Sequence, residues 1–158
     1  MKIAIIYATN NGCTDKCAHT LATNFENDIT LFNVENKSNI IINDYEIIII
    51  GGSIIAGSIN KRIRKFINEN LSILTGKKLG LFICCMFEGK KATVQFDNAF
   101  PIELKNKATA HGYFGGEFDF NKMNSFEKAI IKKVANIEHS ESRINYDNIN
   151  SFAKKMLK

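Results

Sequence analysis

The sequence predicts an α/β fold of three layers, with a five-stranded parallel sheet in the order 2-1-3-4-5 and helices on both faces. Three observations predict it. Short β-branched runs alternate along the chain with stretches of helical amphipathicity, the pattern of parallel βαβ units. One run, YEIIIIG at Tyr45–Gly51, has an unbroken apolar centre at Ile47–Ile50, as a strand covered on both faces must have. Right-handed crossovers between parallel strands then leave few topologies for five such units.

At 158 residues, 45% hydrophobic and 23% charged, the chain is long enough to bury a core without staples. No repeat, linker or low-complexity tract marks a second domain, so residues 1–158 read as one unit.

Ile3–Tyr7 opens the chain as a buried strand. A polar turn over Ala8–Cys13 leads into a helix from about Thr14, with Cys17, Ala18, Leu21 and Phe25 on one face. Ile29–Val34 alternates as the second strand, and Ile40–Ile42 reads either as a short strand or as a packed connector. Tyr45–Gly51 is the third strand, which Gly51-Gly52-Ser53 should stop; a loop follows through Ala56-Gly57-Ser58. The next helix spans about Asn60–Leu71, with Ile59, Ile63, Phe66, Ile67 and Leu71 on its apolar face. Gly76-Lys77-Lys78 turns into the fourth strand, Leu79–Cys85.

The loop Met86–Lys91 precedes a helix near Ala92–Lys105 whose apolar positions are Val94, Phe96, Ala99 and Phe100. Pro101 should end or kink that helix, because it lacks an N–H and its ring clashes with the preceding turn. Ala108–Phe114 is the fifth strand, and Gly115–Asn124 is irregular and aromatic. Asn124-x-x-Glu127 matches a capping box for a helix to about Ile137. Its inward positions are Phe126, Ile130 and Val134, its outward ones Lys128, Lys132 and Lys133. A polar link, Glu138–Asn145, leads to the last helix, Tyr146–Leu157.

A formal net charge of +5 permits attraction to an anionic partner. Only Arg62, Arg64 and Arg143 offer guanidinium chemistry, and no basic–aromatic RNA motif accompanies them, so nucleic acid is not an expected partner. The first apolar run is too short for a signal peptide, and runs such as Ile47–Ile50 are far below a membrane span. A cytoplasmic location is the expectation. Cys13, Cys17, Cys84 and Cys85 then read as small buried hydrophobes, with neither a disulfide framework nor the CxxC spacing of a structural zinc. Cys13 stands apart, because a thiol at a helix N-terminus has a lowered pKa. His19, His111 and His139 fall in no nucleophilic or acid–base pattern, and no catalytic residue or metal ligand is assigned.

The chemistry concentrates in Ile3–Leu21, IAIIYATNNGCTDKCAHTL. A strand, a hydroxyl- and glycine-bearing loop and a helix N-terminus make an anion site from backbone alone, since the first helical amides lack intrahelical partners. Gly12 lets the backbone approach closely, and Thr9 and Thr14 add hydroxyls. The loop is neither GxGxxG nor a P-loop, and reads as a phosphate cradle for a mononucleotide. In the order 2-1-3-4-5 the chain reverses between strands one and three, and ligands bind outside the carboxyl ends there. The loops at this edge are Ala8–Cys13, Ser53–Ser58 and Met86–Lys91.

Ile5 through Thr14, followed by Ala18 and Leu21, resembles the flavodoxin phosphate-loop signature, with aromatic, hydroxyl, small residue and threonine at the family's spacing. The resemblance implies a flavodoxin-like fold with FMN as cofactor. Thr9, Asn10, Asn11, Gly12, Cys13 and Thr14 would hold the phosphate. Ser53, Ile54, Ile55, Ala56 and Gly57 of the second loop, and Met86, Phe87, Glu88 and Gly89 of the third, would flank the isoalloxazine ring. Gly51-Gly52-Ser53-Ile54 with Gly57 is similar to one branch, the flavodoxin-domain proteins related to menaquinone-linked protoporphyrinogen dehydrogenase. Two departures stand out. The second loop offers Ile54, Ile55 and Ala56 where flavodoxins usually stack an aromatic, leaving Phe87 as the stacking candidate. The chain is also basic where ordinary flavodoxins are acidic.

Three functions follow from the resemblance. One is an FMN electron carrier serving a redox partner protein or a small-molecule donor or acceptor. A second is a porphyrinogen-oxidising flavoenzyme passing electrons to a quinone. It would use the aromatic segment Tyr113–Phe126 and the lysine-bearing helix, with a weak peripheral contact to the inner face of the membrane. The third is a flavodoxin-fold interaction module without flavin.

Overall fold

A computed structural model describes the backbone of residues 1–158 and every side chain except those of Val134 and Ala135. The isoleucine-rich runs form the sheet. β1 (Lys2–Ala8) is buried from Ile3 onward and leads through the glycine loop into α1 (Cys13–Ala22). β2 (Asp28–Asn33), β3 (Ile47–Ile55), β4 (Ser58–Ile59), α2 (Lys61–Leu74) and β5 (Lys78–Cys84) follow. Next come α3 (Gly89–Ala99), α4 (Ile102–Lys107), β6 (Ala110–Tyr113) and β7 (Glu117–Phe118). The chain closes with α5 (Ser125–Ala135), β8 (Glu141–Ser142) and α6 (Tyr146–Leu157).

The main sheet is parallel in the order β2-β1-β3-β5-β6, with β4 as a short antiparallel hairpin on β3. Leaving that hairpin strand aside, this is the predicted 2-1-3-4-5. Alternate residues of each strand face opposite layers. Ala4, Ile6, Ile48, Ile50, Leu79, Leu81 and Ile83 pack beneath Ile63, Phe66, Ile67 and Leu74 of α2, with Phe96 and Leu104 of α3 and α4. Ile3, Ile5, Tyr7, Ile47, Ile49, Phe82 and Cys84 face Cys17, Ala18 and Leu21 of α1, with Ile149, Phe152 and Met156 of α6.

Several sequence expectations are corrected. Gly51-Gly52-Ser53 does not stop the third strand: these residues pair with Phe82, Ile83 and Cys84, and β3 continues to Ile55. Phe82 explains the glycine. A Cβ at Gly51 would stand 2.2 Å from its ring, which also stacks on Phe114 with centroids 4.5 Å apart. The reversal comes at Ala56 and Gly57, both with positive φ (51° and 75°), the two-residue turn that matches strand twist. α2 runs on to Leu74, which is fully buried, while Leu71 is half-buried.

The helix expected at Ala92–Lys105 is two helices. Phe100 is extended (φ −122°, ψ 143°), as a residue before proline prefers, and α4 begins after Pro101. Val94 lies half exposed rather than inward. The capping box at Asn124 is present, with Asn124 Oδ1 accepting from the Glu127 amide at 2.8 Å. Phe126, however, is 73% exposed; Ile131 supplies the inward contact instead, and Ile130 is half-buried. The inward assignment of Val134 lies outside the described side chains. Ile40–Ile42 is a connector with Ile42 buried and Ile41 exposed.

The segment expected to be irregular, Gly115–Asn124, is partly ordered. β7 pairs antiparallel with β8 from the polar link, Glu117 opposite Ser142 and Phe118 opposite Glu141. Met86, Phe118, Met123, Ile131 and Ile137 form a small third core beneath it. A strap from α5 and the β7–β8 ribbon is thereby held over the carboxyl edge of the sheet.

Candidate functional site

The loop between β1 and α1 is built by local bonds. Gly12 adopts φ 88°, a left-handed conformation open to glycine, and caps α1 without a side chain. Its N–H donates to Thr9 Oγ1 at 2.8 Å, and its carbonyl accepts the first helical bond from Lys16 at 3.0 Å. The amides of Cys13, Thr14 and Asp15 are then left without intrahelical partners. Thr14 is fully buried, and its Oγ1 has no hydrogen-bond partner. A buried hydroxyl left unpaired costs free energy, and a hydrogen-bonding ligand would relieve that cost. Lys122 completes the charge pattern: its Nζ stands 3.6 Å from where a Cβ on Gly12 would be.

Thr9, Asn10, Asn11 and Cys13 share one cleft with Ser53, Ile54, Ile55 and Met86. Asn10 Oδ1 ties the first two loops, accepting from Ser53 Oγ at 3.3 Å and Asn60 Nδ2 at 2.9 Å. Gly12 belongs to the loop backbone, and Thr14 lies beneath it. Ala56 and Gly57 sit at the exposed hairpin tip, outside this cleft. Phe87, Glu88 and Gly89 line a neighbouring cleft with Tyr113 and Arg143, and Lys91 Nζ stands 5.2 Å from the Phe87 ring centroid.

Sequence reasoning missed the strap. Gly116, Glu117 and Phe118 complete the first cleft, together with Cys84 and Cys85. Gly116 is bare because a Cβ there would stand 2.6 Å from Met86 Sδ. Lys16 Nζ donates to both Glu117 carboxylate oxygens at 2.8 and 2.9 Å, and Ser142 Oγ donates to Oε2 at 2.9 Å. The Lys16 hydrogen bond chiefly holds the Glu117 carboxyl below the ordinary carboxylate range, and Glu117 raises Lys16 in return. The one local signal for these residues was the aromatic composition of the segment. A pairing 101 residues apart leaves no trace in spacing.

The cysteines converge as well. The Sγ atoms of Cys13, Cys17 and Cys84 lie within 4.8 Å of one another, all buried. Hydrogen bonds from Cys17 and then Cys84 hold the Cys13 thiol down, against its burial. The same bonding to Cys13 pushes Cys17 and Cys84 up.

A strand–glycine loop–helix turn at the switch point of a 2-1-3-4-5 sheet, flanked by two further loops, defines a narrow class of folds. The model of the flavodoxin domain matches residues 4–157. The chain belongs to the flavodoxin domain family. At family level this is an FMN-binding electron carrier, and FMN is the cofactor that membership implies. Solved structures agree on the fold. Oxidised flavodoxin 1 from Bacillus cereus superposes with a TM-score of 0.61 at 20% identity, covering 99% of this chain and 97% of that one. A short-chain flavodoxin associated with a non-canonical PDU bacterial microcompartment gives 0.60 at 17% identity, covering 99% and 97%. Rubredoxin oxygen:oxidoreductase from Desulfovibrio gigas gives 0.62 at 14% identity over 98% of this chain, which spans only 35% of that protein. No curated protein sequence matches.

The residues of the cleft fit FMN in kind. The orphaned Thr14 hydroxyl, the free α1 amides and the Lys122 ammonium suit a phosphate, and Ile54, Ile55, Met86 and Phe118 give the cleft apolar walls.

Proposed function

We propose that this chain is an electron carrier that holds FMN in the cleft between the Thr9–Thr14 loop and the strap, and exchanges electrons with a redox partner protein or a small donor or acceptor. The observation that carries this reading is the unpartnered Thr14 hydroxyl beneath the α1 N-terminus. Bound FMN would supply reversible electron uptake through its ring. The chain's own residues bind and orient: Thr9, Gly12, Cys13 and Thr14 receive the phosphate, while Asn10 and Ser53 brace the loops. Ile54, Ile55, Met86 and Phe118 exclude water from the ring. Phe118 takes the aromatic role expected of Phe87, which faces the neighbouring cleft.

The test is direct. Purified protein should carry, or take up, one FMN with quenched fluorescence; a chain that ignores FMN would act through its fold alone, as an interaction module. A second reading, a porphyrinogen-oxidising enzyme with a quinone acceptor, is favoured by one feature: exposed Phe126 at the start of α5 with exposed Lys133 two turns on along the same side. That face suits an apolar, anionic substrate and a weak contact with an anionic membrane. No helix among the described residues is long and apolar enough to cross one. Oxygen-free turnover of protoporphyrinogen with a quinone would establish the enzyme, and its absence from FMN-loaded protein would leave the carrier.

A further inference from the structure

Cys13 and Cys17 stand one turn apart on the buried face of α1, and Cys84 ends β5 directly opposite. The three residues are 7%, 0% and 3% exposed, and their Sγ atoms lie within 4.8 Å of one another. Sulfur ligands each about 2.3 Å from one ion sit about 4 Å apart in a trigonal arrangement, so side-chain adjustment alone closes the set. We propose that Cys13, Cys17 and Cys84 form a binding site for one soft, thiophilic cation, and that Cu(I) fits it best.

The donor set selects the ion. Thiolates favour Cu(I) and zinc over hard cations. A structural zinc takes four protein ligands, and among the described residues no His, Asp or Glu joins the three sulfurs. The nearby Glu117 carboxylate is held by Lys16 and Ser142, and the Cys85 thiol is turned away to the Phe87 carbonyl at 3.4 Å. Three sulfurs suffice for Cu(I). Binding replaces the thiol protons, which leave to solvent, and no oxidant or reductant is required. Cys13 and Cys84 line the cleft, so the ion has an entry path. The spacing C-x3-C gives no CxxC signal; the third ligand arrives from a strand 67 residues later.

This inference does not rest on the flavin reading, and its test reads copper rather than flavin. The full chain, reduced and kept free of oxygen, is titrated with Cu(I) against a chromophoric Cu(I) chelator. One ion per chain should bind, with thiolate-to-copper charge-transfer absorption. Loss of a positioning group alone costs 10–100-fold at metal sites, so Cys17→Ser and Cys84→Ser should each weaken binding by at least about tenfold. Cys85→Ser should leave it unchanged. X-ray absorption of the unaltered chain counts the sulfur shell whether or not the variants fold. No stoichiometric uptake, an oxygen- or nitrogen-dominated shell, or binding undiminished in a folded Cys17→Ser or Cys84→Ser variant would overturn the site. Displacement of Cu(I) by equimolar zinc would overturn the choice of ion.

Discussion

At the residue scale, Thr14 gives two opposed expectations from one atom. Thr14→Val keeps the shape and removes a hydroxyl that has no partner in the flavin-free fold. The free protein should therefore lose no thermal stability, while FMN affinity falls about tenfold or more, the worth of one bond to a charged phosphate. Fluorescence titration and melting of the flavin-free chain read the two separately; unchanged affinity would remove Thr14 from the cradle. Gly51 gives the packing counterpart. Its missing side chain is the space Phe82 occupies, so Gly51→Ala should destabilise by about 1–3 kcal/mol in denaturant melts. Adding Phe82→Leu should recover part of that loss, because the two positions share one space.

At the element scale, the strap is held by the Lys16–Glu117 bridge between α1 and β7. Glu117 is acceptor to Lys16 and Ser142 and lies in the field of Lys122, so its folded-state pKa is depressed. A depressed carboxyl contributes stability that is present above its unfolded value and lost as pH falls through the folded one. The strap should accordingly loosen only on the acid side of the ordinary carboxylate range. FMN release, followed by the return of flavin fluorescence, should steepen there, and Glu117→Gln should release FMN more readily at neutral pH and flatten that limb. The β3–β4 hairpin carries a separate expectation. Ala56 holds φ 51° at a cost of about 1–2 kcal/mol, which Asn tolerates better, so Ala56→Asn should stabilise by up to about 1 kcal/mol on chemical denaturation. Neither the hairpin nor the strap was legible in the sequence. Gly51-Gly52-Ser53 looks locally like a chain break and becomes strand only beside Phe82–Cys84. Glu117–Phe118 becomes strand only beside Glu141–Ser142.

For the whole molecule, the order β2-β1-β3-β5-β6 brings three loops to one edge, and a ligand bound there stabilises the fold by mass action. At a hundredfold excess over its Kd, FMN should add about 2.7 kcal/mol, or roughly 5–10 °C in Tm. A flat melting temperature across an FMN titration would argue against binding. The sheet order was legible because apolar runs such as Ile47–Ile50 cannot be exposed on either face, and right-handed crossovers leave little choice once five parallel strands are given. The Thr9–Thr14 loop was legible for the same reason: strand, glycine and helix start are contiguous, and short-range chemistry is written in order along the chain.

The sequence by itself determined the α/β class, the strand order and the family. Each rests on local periodicity or on residues that lie side by side in the chain. Tertiary structure alone decided what closes the cleft and what lies beneath it. Phe118 rather than Phe87 lines the cleft, Lys16 meets Glu117, Lys122 reaches Gly12, and Cys84 joins Cys13 and Cys17. These meetings depend on how separate elements pack, and packing contacts carry no fixed spacing from which they could be read.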